Sequence, residues 1–167
     1  MEKIIAGLDR VVNAIDRVLI TIAGFMLVVM MLLACSNVLL RSIWVPVKGT
    51  FELVGFFGAI VAAFALGRTQ MKREHIAVDV LIDQFPRKVR LWLSGINYFV
   101  GMVFFSLAGW QAAQWGTHIW RVNELSETLR IIYFPFVYGV ALGCIVIALV
   151  LLLDMVKLIH QMNGASR

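Results

Sequence analysis

Charge is scarce in this chain. Only 15% of its 167 residues are Asp, Glu, Lys or Arg while 61% are hydrophobic, which is too apolar for a soluble domain. Cysteine is nearly absent: Cys35 and Cys144 stand alone in separate apolar runs, so no disulfide framework, C-x-x-C redox pair or cysteine metal cluster is available, and both read as inert buried thiols. The three histidines, His75, His118 and His160, fall in loops or at the ends of spans, a placement that excludes axial haem ligation inside a helical bundle. A net charge of +5 comes without basic stripes interleaved with aromatics, so nucleic acid is not a partner. No nucleophile and base arrangement and no phosphate-cradling glycine loop appears. The chain is therefore expected to be no enzyme, with no catalytic, substrate-binding or metal residue and no cofactor of its own.

What is present is length of apolar sequence. Mean hydropathy is +0.88, and uncharged runs long enough to cross about 30 Å of hydrocarbon place an all-α membrane fold of four transmembrane helices over 18–40, 51–67, 91–115 and 131–153, in one domain of residues 1–167. Before them, residues 1–17 set Ile4, Ile5, Leu8, Val11, Val12 and Ile15 on one helical face, the pattern of an amphipathic helix lying in the bilayer interface. Between the second and third spans, Ala77, Val78, Leu81, Ile82 and Phe85 share a face opposite His75, Asp79 and Asp83, and Pro86 ends the pattern. That segment predicts a short cytoplasmic connecting helix, its polar stripe either solvated or a docking surface for basic groups of a partner.

Positive charge sets the orientation. Eleven of the fifteen lysines and arginines lie at the N-terminus, in the segment from Arg68 to Arg90, and in the tail; only Arg41, Lys48, Arg121 and Arg130 lie in the other two connections. Both termini are expected on the cytoplasmic side, with the chain in contact with membrane lipids. Trp44, Trp92, Trp115 and Trp120 suit anchors at the headgroup boundary. Lys48, Arg121, Glu124, Glu127 and Arg130 then form an outer charged surface suited to docking a soluble protein.

Helix-packing signals concentrate in the second span. Gly55, Ala59 and Ala63 recur every four residues, with Gly58 and Ala62 beside them, so this helix is expected to approach another closely, within this chain or across a subunit boundary. Glu52 opens the same span as the only carboxylate near a span interior. It reads as an interface anchor or as a partner of Arg41, Arg130 or another subunit, and less readily as a proton carrier.

Asn37 and Arg41 closing the first span, Glu52 opening the second, and His75-Ile76-Ala77-Val78-Asp79 followed by Pro86 resemble the signature of the small membrane subunit, DctQ type, of tripartite ATP-independent periplasmic (TRAP) transporters. One position departs from the pattern: Phe51-Glu52 stands where such subunits often carry two adjacent acids. The resemblance implies a large membrane subunit holding the sodium and substrate sites, and a periplasmic binding protein that delivers an organic anion such as a dicarboxylate or a sugar acid (sialic acid, for example). It also implies a scaffolding role, with Arg41, Glu52, Gly55, Ala59, Ala63, His75 and Asp79 as candidates for the subunit interface. Two other readings stay open on the residues alone: a self-sufficient homodimeric proton-coupled transporter using Glu52, and a membrane anchor for a redox enzyme.

Overall fold

Four helices make up the computed structural model, which describes residues 2–43, 45, 47–71 and 87–164: α1 (Glu2–Ile43), α2 (Thr50–Met71), α3 (Arg87–Val122) and α4 (Phe134–Gly164). Each contains a segment long and apolar enough to cross a membrane. The connecting helix expected before Pro86, with His75 and Asp79, lies outside the described residues, as does Trp44.

Every helix runs past the boundary that hydropathy sets. At 42 residues α1 is about 63 Å long, twice the hydrocarbon thickness. Residues 1–17 were expected to form a separate helix in the interface plane. Instead the described part continues without a break into the span, because no Pro or Gly interrupts Leu8 to Ala23 and because Asp16 is held against α2. The face of α1 that packs on the bundle is Val12, Asp16, Leu19 and Ala23, while Leu8, Val11 and Ile15 point outward. At the other end α4 extends through Asp154 and Lys157, residues that hydropathy assigns to a polar tail.

The helix ends are chemically marked. Thr50 begins α2 and its hydroxyl donates to the Val47 carbonyl at 2.9 Å. Asn123 stops α3 by turning left-handed, with φ 52°. Glu124 N–H then reaches back to the Ile119 carbonyl (3.1 Å) and Asn123 N–H to Trp120 (3.4 Å), the paired bonds of a Schellman cap. Pro135 sits in the first turn of α4, where its missing N–H leaves no helical bond unmade.

In the bundle, α4 is flanked by α2 and α3, and α1 lies along α2 and reaches α4 towards its own N-terminus. The core of Leu19, Ala23, Ile60, Ala63, Phe64 and Val146 joins α1, α2 and α4, and Val12, Val150 and Leu153 continue it towards the chain ends. By contrast α3 buries none of its most apolar stretch, against 44% for α4, so most of its surface is open.

Candidate functional site

At the end of the bundle nearest the N-terminus, charged residues from three helices meet among apolar neighbours. Arg68, in the last turn of α2, donates from Nη1 to Asp16 Oδ2 of α1 at 2.9 Å. Asp16 is 1% exposed while the Arg68 side chain is 42% exposed, so water reaches the pair from the arginine side only. Two turns along α1, Asp9 Oδ1 receives Lys157 Nζ of α4 at 2.6 Å. Asp9, Arg68 and Lys157, with Asn13 and buried Asp154, line a cavity of 260 Å³ whose apolar wall includes Val12, Val150 and Leu153. Taking charges out of water costs several kcal/mol per ion, on the order of what close pairing returns. Chemically the arrangement ties α1 to α2 and to α4 rather than presenting an open coordination shell. Among the described residues Asp16 Oδ1 has no hydrogen-bond partner, and a Cβ on Gly67 would lie 3.8 Å from it.

This network corrects the reading of Glu52 as the only carboxylate near a span interior. Among the described residues Asp16 and Asp154 are the buried acids, and both fall just outside the apolar runs that define spans by hydropathy. A sequence signal for Asp16 existed: at helical spacing it shares a face with Val12, Leu19 and Ala23, and an acid on an apolar face needs a partner.

At the opposite end Glu52 binds neither Arg41 nor Arg130 but a peptide backbone. Its carboxylate accepts from Thr128 N–H at 2.6 Å and from Leu129 N–H at 3.1 Å. The segment it grips folds back on itself, with Ser126 N–H on the Ile131 carbonyl (3.0 Å), Arg130 N–H on the Ser126 carbonyl (3.1 Å) and a bridge between Leu125 and Ile132. Leu129 then covers Gly49, whose φ of 76° and close approach leave no room for a Cβ. Asn37 Oδ1 holds Val47 N–H at 3.0 Å, so both connections at this end are fastened to the bundle. Tyr133 donates to Glu124 at 2.8 Å and stacks on Phe56 at 5.5 Å; burial first, and then the Glu124 carboxylate, push its phenol above the ordinary range. Lys48, Arg121, Glu124, Glu127 and Arg130 are exposed around this clasp.

The small-residue stripe of α2 divides. Ala63 is buried against α4, where a Cβ on Gly143 would stand 2.8 Å from the Ala63 Cβ, so this crossing lies inside the chain. Gly55 and Ala59 are exposed, as is Arg41, and a Cβ at Gly55 would meet nothing. Trp92, Trp115 and Trp120 point outward at 68%, 57% and 59% exposure. Cys35, read as a buried thiol, is exposed on α1, and Cys144 is partly covered. Among the described residues no group of three or more His, Cys, Asp or Glu is arranged to hold a metal ion.

Comparison with known proteins returns a family model, described as tripartite ATP-independent periplasmic transporters, DctQ component, which matches residues 30–161. A search of curated proteins returned no match. Nor did a search of solved structures. The matched stretch takes in both ends of the Glu52 clasp, the Arg68 and Lys157 ends of the two ion pairs, and membrane segments of all four helices. Over more than three quarters of its length the chain fits this one family, and it belongs to the DctQ component, the small membrane subunit, of TRAP transporters.

Proposed function

We propose that this small permease subunit is a scaffold. It braces the large membrane subunit of a sodium-driven TRAP transporter that takes up an organic anion, a dicarboxylate or a sugar acid, from a periplasmic binding protein. The chain sits in the inner membrane with both termini in the cytoplasm, and the Glu52 clasp faces the periplasm. Sodium and substrate are held by the large subunit. Lys48, Arg121, Glu124, Glu127 and Arg130 around the clasp contribute to docking the binding protein, mainly by speeding encounter through complementary charge.

One observation carries this reading. Asp9, Asp16, Arg68 and Lys157 are paired with one another across helices, and Glu52 is committed to two backbone N–H groups, so these groups serve to fix helices and loops. A carboxylate that carries protons through the bilayer needs exchange with both sides, whereas Glu52 sits in the first turn of α2.

Reconstitution tests the proposal. Liposomes holding the large subunit with this chain, supplied with binding protein and an inward sodium gradient, should accumulate the organic anion. Liposomes with either membrane chain alone should not. Uptake by this chain alone under a pH gradient would instead establish the self-sufficient transporter.

A further inference from the structure

The open face of α3 is not uniform. On one side Phe99, Val103 and Trp110 are exposed, an apolar surface suited to lipid. About a quarter turn away runs a second exposed stripe, Phe104, Leu107, Gln111, Gln114, His118 and Arg121, in which the spacing alternates three and four residues throughout. A repeat of 3.5 residues keeps a seam facing one partner helix along its whole length. Among the described residues no hydrogen bond or ion pair engages the side chains of Gln111, Gln114, His118 or Arg121. Ala108 and Ala112 are small beside them, leaving an open groove of 810 Å³.

Depth makes the amides informative. A Cβ on Gly109 would lie 3.2 Å from Cys144 and one on Gly116 3.5 Å from the Tyr138 ring. Gln111 is therefore level with Ala141 to Cys144, about 10–15 Å along α4 from Phe134 by helical rise. Trp110, Trp115 and Trp120 could share an interfacial belt with the outer residues, but α4 at the level of Gln111 is apolar on every side. Hydrocarbon offers an amide no partner, whereas amide side chains hydrogen-bond across helices in membranes.

Charge identifies the occupant. The stripe ends in His118 and Arg121 with no acid on it, and Glu124 nearby is bonded to Tyr133. Two copies of the chain in one membrane carry α3 in the same direction, so a symmetric seam would set Arg121 against Arg121 and His118 against His118. We infer that the Gln111–Arg121 stripe of α3 receives a transmembrane helix of a different chain, one presenting a carboxylate near its periplasmic end and hydrogen-bonding side chains one to three turns deeper. The inference rests on the reading of this chain as a scaffold for a second permease component, and places that component on α3.

The test uses the complex of this chain with the large subunit in mild detergent. A photo-crosslinking residue at position 111, 114 or 118 should give an adduct with the large subunit, and one at position 99 or 103 should not. The double variant Gln111→Leu/Gln114→Leu should weaken the complex about tenfold, about threefold for each lost hydrogen bond, and leave thermal unfolding of the isolated chain unchanged. Adducts of two copies of this chain, adducts with lipid alone, or equal adducts from both faces would overturn the assignment. If the large subunit co-purifies with the unmodified chain but labels elsewhere, only the α3 assignment fails. If it does not co-purify at all, the scaffold reading fails and takes this inference with it.

Discussion

Replacing Arg68 by leucine strips a carboxylate that has almost no access to water of the only partner it has among the described residues. Asp16 is 1% exposed, its Oδ1 has no hydrogen bond among the described residues, and Oδ2 accepts from Arg68 Nη1. Breaking a buried pair from one side typically costs about 3–5 kcal/mol, because the remaining charge stays buried and unpaired. Arg68 is 42% exposed, so water can follow the lost side chain and the expected loss is lower, about 2–3 kcal/mol. Asp16→Asn removes the charge from the dry side and leaves the arginine free to turn to solvent, at a cost of about 1 kcal/mol. Replacing both residues by leucine removes the desolvation penalty together with the pair and should cost less than Arg68→Leu alone. Reversible unfolding in mixed micelles, followed by helical circular dichroism, gives all four corners of the Asp16→Leu and Arg68→Leu double-mutant cycle. Additivity within about 0.5 kcal/mol would show that the two side chains do not couple, and the network could not be what fixes α1 against α2.

Two further outcomes follow from the geometry and a third from the distribution of positive charge. Gly49→Ala forces a Cβ at φ 76° into Leu129, so strain of about 1–3 kcal/mol should loosen both loops at that end and speed their proteolytic cleavage; an unchanged cleavage rate would show that they are not fastened there. Glu52→Gln keeps one acceptor oxygen for two backbone N–H groups, and should loosen the clasped loop, read as faster proteolytic cleavage there, while sodium-coupled uptake survives in the assembled complex. Abolished uptake in an intact complex would give Glu52 a coupling role. A periplasmic phosphatase reporter should be active when fused after Lys48 or Glu124 and silent after Arg73 or Arg167, and the reverse pattern would invert the orientation.

The four helices were legible in the sequence because the length of an apolar run is a local property that hydrocarbon thickness reads directly. Where the helices end was not legible: hydropathy stops a span at its first charge, but Asp16, Arg68 and Lys157 continue their helices, the ion pairs making those charges tolerable, and Asp154 lies inside α4 as well. Ala63 shows the same limit for packing. Its small size signals a close contact, yet only the rotation of α2 against α4 decides that Ala63 meets Gly143 inside the chain while Gly55 and Ala59, on the same four-residue spacing, face outward.

By itself the sequence determined the class of fold, the distribution of positive charge between the two sides, and the motif residues that place the chain in its family. The tertiary structure decided the partners. Asp16 and Arg68 are 52 residues apart, and Glu52 and Thr128 are 76 apart. Helical periodicity assigns a residue to a face, but the neighbour across that face depends on the depth and rotation of a second helix, which are set by all the side chains that pack between them.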